Sequence, residues 1–168
     1  MAETDVSDDK AMLRGTLDNQ RNHVLGILEG LSDDDLARPV LPSGWTCLGL
    51  VQHLALDVER WWFWQVMAGE TPLDEPPIEN AWQVVPGTAA TEVLETYRRE
   101  VERANGVIET LPLDAEPKWW PDGLFGNWRL RNLRHMMLHV IAETACHAGH
   151  LDAVRELIDG RTWLVLTG

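Results

Sequence analysis

One stretch of the chain, residues 132–160, concentrates side chains that can bind a metal ion or move a proton. Four of the chain's six histidines and one glutamate recur there every three or four residues: His135, His139, Glu143, His147 and His150. In an α-helix these positions fall within a sector of roughly 120°. Packing alone gives no reason to line one face of a helix with imidazoles. The spacing therefore predicts a functional face.

Two pairs on this face can direct their side chains to one point. Glu143 lies one helical turn from His139 and one turn from His147. Imidazole nitrogens and carboxylate oxygens are common zinc ligands, and a catalytic zinc site typically has three protein ligands and one open position. The pattern predicts that this helix supplies two metal ligands, and its geometry leaves both pairs open.

A third ligand candidate, His53, lies in an apolar helical segment. Asp57 and Arg60 follow at i+4 and i+7, on nearly the same side of an α-helix. A carboxylate next to a ligating imidazole often orients the ring. We therefore expect Asp57 to hold His53. His23, in the first helix, is interpreted as a surface or packing histidine.

Four long helical segments position these residues. The first and third are expected to begin after Ser7 and Thr88 as N-caps, and the fourth after Asn132, with Gly160 as its stop. Apolar periodicity predicts these bounds, each approximate: Asp8–Leu31, Thr46–Ala68, Ala89–Leu111 and Asn132–Gly160. The fold prediction is an all-α four-helix bundle forming one domain over residues 1–168, with its site between facing helices.

Two long loops, Gly69–Pro86 and Pro112–Arg131, connect these helices and are long enough to be functional. The second is rich in aromatic residues, which either pack over the end of the bundle or cover a cleft. Arg60 and Arg131 are predicted to bind a carboxylate of a small-molecule ligand. The apolar C-terminal segment, 161–168, is expected to dock on the bundle or to pair two subunits in a homodimer.

Composition excludes several classes of partner. A formal net charge of -13 argues against nucleic acid and anionic membranes. The N-terminal segment lacks the pattern of a signal peptide, and no apolar run approaches the roughly 18 residues of a membrane span. The two cysteines, Cys47 and Cys146, lie inside predicted helices and suit free thiols. We therefore expect a cytoplasmic protein.

Two motifs, LVQHLALDVERWWF at 50–63 and HVIAETACHAGHLDAVRELIDG at 139–160, carry a resemblance to a known superfamily. The chain resembles the DinB-like, or YfiT-like, metalloenzymes, four-helix bundles with one histidine ligand on the second helix and two ligands one turn apart on the fourth. The resemblance implies His53, Glu143 and His147 as the metal ligands. Glutamate at 143 is similar to the ligand set of mycothiol-dependent maleylpyruvate isomerase, which binds zinc.

The resemblance also implies an activity. The superfamily includes S-transferases that use mycothiol or bacillithiol, so we expect a transferase or isomerase with a divalent metal, zinc or else nickel, and a low-molecular-weight thiol such as mycothiol or bacillithiol as cosubstrate. The expected reaction is attack of a metal-bound thiolate on an electrophile, with His150 as acid/base or substrate contact. Two alternatives remain: a metal-dependent hydrolase, and a non-enzymatic metal- or ligand-binding stress protein.

Overall fold

The computed structural model of the protein describes residues 3–71 and 80–163. These residues form helices and no β-strand, which confirms the all-α prediction. The helices are α1 (Glu3–Leu28), α2 (Asp33–Ala37), α3 (Cys47–Met67), α4 (Ala90–Thr110) and α5 (Leu133–Asp159). Helix α3 is α-helical over Cys47–His53 and continues as a π-helix over Leu54–Met67.

Local capping explains where the two helices that carry the candidate ligands begin and end. The Thr46 side chain accepts a hydrogen bond from the backbone N–H of Gly49 at the start of α3. The Asn132 side chain accepts one from the N–H of His135, and Gly160 closes α5 in the left-handed conformation at φ 76°. The predicted start and stop of α5 are confirmed.

Two predicted N-caps are wrong. Helix α1 begins at Glu3 rather than after Ser7, because the sequence before Ser7 contains no glycine or proline to stop a helix. Helix α4 has Ala89, not Thr88, at its N-cap, and no side chain caps it.

The π-helical part of α3 changes which residues share a face. A π-helix closes i→i+5 hydrogen bonds, so each residue is rotated by less than the roughly 100° of an α-helix. Over the seven residues from His53 to Arg60 this difference accumulates. Arg60 therefore does not lie on the side of His53, as an α-helix would place it; its guanidinium meets Glu100 on α4 at 2.8 Å.

The long helices pack in two main pairs, α1 on α5 and the π-helical part of α3 on α4, and α3 also contacts α5. Their shared core is fully buried at positions such as Leu50, Phe63, Tyr97, Met136 and Leu151. Charged side chains join the pairs as well, since Arg21 of α1 donates two hydrogen bonds to Glu59 of α3.

Backbone hydrogen bonds connect the loop Pro112–Arg131, which we call the aromatic loop, to two helices. Its residues 118 and 119 donate to the carbonyls of Met67 and Val66 at the end of α3. Near its start, the carbonyls of Leu113 and Ala115 accept hydrogen bonds from the first turn of α5. The loop is therefore held across the end of α3 and beside the start of α5.

Two sequence predictions fall wholly or partly outside the described residues. Residues 72–79 belong to the predicted loop Gly69–Pro86, and residues 164–168 to the segment expected to dock or to form a homodimer. No described helix has the length and apolar character that crossing a membrane requires.

Candidate metal centre

Three side chains from two helices converge between α3 and α5. His53, Glu143 and His147 each direct one donor atom to the same place, and these atoms all lie within 4.8 Å of one another. Zinc bonds of about 2.0–2.2 Å allow ligand atoms to lie up to roughly 4 Å apart. The donor set therefore fits a divalent ion after side-chain movements below about 1 Å. We call these residues the donor triad.

The His53 ring is held on two sides. Its Nδ1 donates a hydrogen bond to the Asp57 carboxylate at 2.8 Å, as expected from the sequence. Its face stacks on Trp82, with ring centroids 4.3 Å apart and an interplanar angle of 20°. With Nδ1 engaged, Nε2 is the nitrogen left to bind a metal ion, which is the usual arrangement of a ligating histidine with a carboxylate partner.

Trp82 was not predicted from the sequence. It belongs to a segment that approaches α3 at Gly49, where a Cβ atom would collide with the carbonyl oxygen of Trp82. The Gln52 side chain donates to the carbonyl of Ala81 at 2.8 Å and fastens the same segment. A glycine inside a helix was the available signal, because such a glycine often marks a close approach of another backbone.

Glu143 and His147 face each other one turn apart on α5, with Glu143 Oε2 3.8 Å from His147 Nε2. Burial, with a smaller contribution from the proximity of His53, lowers the pKa of His147 to about 4, and Glu143 opposes the shift. The ring is therefore neutral at physiological pH, as a metal ligand must be. Among the described His, Cys, Asp and Glu residues, no fourth donor joins the triad.

The remaining histidines of the α5 face differ in their surroundings. His150 is exposed, and its Nδ1 lies 3.4 Å from His147 Nδ1. His139 is partly buried, contacts the rings of Trp62 and Trp128 edge-on, and has its pKa lowered by burial. His135 is exposed at the start of the helix. Only His139 of these three lines the cleft beside the triad.

That cleft has a volume of about 540 Å³. Two residues of the triad, His53 and Glu143, line it together with Asp57, and much of the remaining lining is aromatic. Trp128 from the loop lines it, whereas Trp120 from the same loop is 8% exposed and belongs to the core. The loop thus packs on the helices with one tryptophan and lines a cleft with another.

The two predicted ligand-binding arginines lie elsewhere. Arg60 is buried, with Nη2 donating to Glu100 at 2.8 Å. Arg131 is exposed just before the N-cap of α5. Neither is among the described residues that line the cleft. The structure thus brings together the predicted metal ligands but not these arginines.

His23 has a structural environment, in line with its interpretation as a packing residue. Its Nε2 donates to Asp152 at 2.7 Å, and its ring stacks on Trp163 at 4.9 Å. The distance from the imidazole nitrogen to the carboxylate oxygen is similar in this pair and in His53–Asp57, but no second imidazole lies beside His23 among the described residues.

A comparison with protein families identifies the relationship that this geometry suggests. The family model described as Mycothiol-S-transferase matches residues 12–160, from the first turns of α1 to the end of α5. The chain belongs to the mycothiol S-transferase family. This family is part of the DinB/YfiT-like superfamily, so the resemblance noted in the sequence is confirmed. No curated protein and no solved structure matches the chain.

Membership of the mycothiol S-transferase family implies a small-molecule thiol as cosubstrate. The described structure adds a group of residues that could hold a metal ion and a cleft next to it.

Proposed function

We propose that this protein is a metal-dependent S-transferase that joins a thiol of the mycothiol class to an electrophilic carbon. The convergence of His53, Glu143 and His147 carries the proposal, since a mixed nitrogen and oxygen donor set with no fourth described donor is typical of a catalytic rather than a structural zinc site. Zinc suits these donors best, with nickel as the second choice.

A bound divalent ion would lower the pKa of a thiol and so favour the reactive thiolate at neutral pH. The chain's residues have three tasks around that chemistry. His53, Glu143 and His147 would hold the ion, and Asp57 keeps the His53 ring in its tautomer and orientation. The cleft offers an apolar surface to an electrophile beside them.

The net reaction forms one C–S bond and moves one proton. When the thiol adds to an activated alkene or opens an epoxide, the S–H bond breaks together with the alkene π bond or one epoxide C–O bond, and the proton ends on the product. When the thiol displaces a halide, the S–H and carbon–halogen bonds break, and the proton and the halide anion are released. We assign proton exchange with solvent to His150, because it is exposed and its Nδ1 lies 3.4 Å from His147 Nδ1.

The helix packing supports a further part of the proposal. We infer that α1, α3, α4 and α5 form the four-helix bundle of the superfamily, with the triad between the second and fourth long helices. Arg131 stays a candidate for binding the cosubstrate from outside the cleft, whereas burial against Glu100 favours a structural role for Arg60.

The test is conjugation by purified protein loaded with zinc. Mycothiol and a bromobimane electrophile are mixed with the protein, and the thioether is followed by fluorescence. We expect acceleration over the uncatalysed reaction, with loss of activity in His147→Ala and in chelator-treated protein. His23→Ala is the matched control, because His23 also contacts a carboxylate but lies outside the triad.

A zinc-loaded protein that is inert with mycothiol, bacillithiol, glutathione and cysteine, each against a broad panel of electrophiles, would contradict the proposal.

A further inference from the structure

The cleft beside the donor triad is built mainly from aromatic rings. Trp62 lies at its centre and contacts Phe125 in a stacked arrangement, with ring centroids 5.6 Å apart. Trp62 also meets Trp128 edge-on at 6.0 Å, and Trp61 edge-on at 6.4 Å. All four rings line the cleft. These mutual contacts pack the rings of the walls against one another, and such aromatic pairs are stabilising.

The wall of the cleft formed by Trp128 is exposed enough to contact a ligand. Trp128 has 44% of its surface exposed. An exposed aromatic ring next to a concave, mostly apolar site is typical of a small-molecule pocket. A flat apolar ligand in the cleft would cover this ring.

The charges of the cleft select against ions. Its charged lining residues, among those the structure describes, are Asp57 and Glu143, and no lysine or arginine lines it. A divalent ion at the triad would balance these two carboxylates, so the loaded cleft has no net charge with which to pair an ionic ligand. Moving an ion from water into a mostly apolar cleft is costly when no opposite charge meets it. An uncharged ligand avoids this cost.

His139 is a polar group in the aromatic part of the cleft that can accept as well as donate a hydrogen bond. Its ring contacts Trp62 at 4.9 Å and Trp128 at 5.3 Å, and no hydrogen bond joins it to another described residue. A partly buried imidazole without a partner has an N–H that can donate to a ligand and a nitrogen that can accept. His139 therefore adds both a donor and an acceptor to a wall whose tryptophans offer only indole N–H donors.

We propose that the cleft is the electrophile subsite, that it selects uncharged flat aromatic compounds, and that His139 donates a hydrogen bond to an oxygen acceptor on them. The inference rests on the proposed function only in calling the ligand an electrophile. The binding of such a compound to the cleft requires neither a thiol nor turnover. Orientation by one hydrogen bond in an apolar pocket is a common basis of specificity.

The test is equilibrium binding of an unreactive set of naphthalenes to zinc-loaded protein without thiol, measured by isothermal titration calorimetry. Acetylnaphthalene carries a carbonyl acceptor, ethylnaphthalene lacks it, naphthalenesulfonate is an anion that coordinates metals weakly, and naphthyltrimethylammonium is cationic. We expect acetylnaphthalene to bind at least about tenfold more tightly than either ion. Equal or tighter binding of an ion would overturn the charge selection.

Two tryptophans offer a matched pair of variants. Trp128 and Trp119 belong to the same loop and are 44% and 45% exposed, but Trp119 lines a neighbouring cavity with Lys118 instead. We expect Trp128→Ala to weaken acetylnaphthalene binding about tenfold and Trp119→Ala to change it less than about twofold. Equal effects would place the ligand elsewhere.

His139→Phe preserves a flat ring and removes the donor. We expect it to weaken acetylnaphthalene binding about fivefold, as loss of one hydrogen bond would, and to leave ethylnaphthalene binding within about twofold. Equal weakening of both ligands would show a packing role and overturn the assignment of His139. If the protein binds acetylnaphthalene selectively but fails to conjugate a thiol, the cleft is still a binding site for aromatic compounds, and the proposed S-transferase activity is refuted.

Discussion

Helix α3 contributes to two charged clusters that differ in how completely their groups are paired. Glu59 faces inward and receives two hydrogen bonds from Arg21, at 2.7 and 2.6 Å, with both side chains nearly free of solvent contact. Six residues earlier, His53 belongs to the donor triad, where Glu143 Oε2 lies 3.8 Å from His147 Nε2.

The difference indicates what each cluster is for. A guanidinium bound to a carboxylate through two parallel hydrogen bonds uses the fixed geometry of both groups and leaves little to add. In the triad, Glu143 has imidazoles rather than a guanidinium beside it, and the three donor atoms point to one place. The Arg21–Glu59 pair is therefore structural, whereas the triad has nitrogen and oxygen atoms available to coordinate a cation.

The largest expected effect separates the two clusters by stability. Glu59→Ala should lower the free energy of unfolding by about 3 kcal/mol or more, because it leaves Arg21 buried without its main partner. Glu143→Ala in metal-free protein should change it by less than about 0.5 kcal/mol, since Glu143 is partly exposed. Urea unfolding followed by circular dichroism gives both values. A large loss in Glu143→Ala with none in Glu59→Ala would reverse the comparison.

The second prediction concerns metal. His53→Ala should weaken zinc binding by about a hundredfold or more, because it leaves two ligands from one helix. Competition with a chromogenic chelator measures the affinity, and elemental analysis measures the zinc content. His135→Ala is the matched control, as it removes an exposed imidazole of α5 outside the triad. Unchanged zinc content in His53→Ala would contradict the triad.

The third prediction tests the carboxylate behind the ligand. Asp57→Ala should weaken zinc binding by about tenfold to a hundredfold, since the His53 ring loses the acceptor at Nδ1. Asp152→Ala removes a similar acceptor from His23 and should leave zinc affinity unchanged. Equal zinc affinities in the two variants would show that the Asp57 contact does not support the ligand.

The sequence was sufficient for features that depend on local chemistry. The bounds of α5 follow from an asparagine cap and a glycine stop, and the histidine spacing follows from the helix itself. The choice of His147 over His139 as the partner of Glu143 came from family resemblance, because both lie one turn away. The structure agrees with that choice, since His139 lies among aromatic rings.

Other features depend on contacts distant in sequence. The apolar pattern of α3 is almost continuous, so it does not distinguish an α-helix from a π-helix, and the expected direction of Arg60 was wrong. Stacking of Trp82 on His53 joins a connecting segment to a helix 29 positions away (82 − 53). No periodicity within either segment encodes such a contact.

The smallest effect compares the two cysteines, one in the buried core and one exposed. Burial raises the pKa of the Cys47 thiol to about 11, whereas Cys146, next to His147 in the chain, is exposed. At pH 8 a thiol reagent should therefore modify Cys146 in the native protein and reach Cys47 only after unfolding. The thiol of the unfolded chain ionises at about pH 8.5. The protonated Cys47 thiol therefore contributes fully to the free energy of unfolding below that pH, and this contribution is lost as the pH rises toward 11. Mass spectrometry should find one label per native chain and none in Cys146→Ser. Rapid native labelling of Cys47 at pH 8 would show that the packing around the start of α3 opens readily.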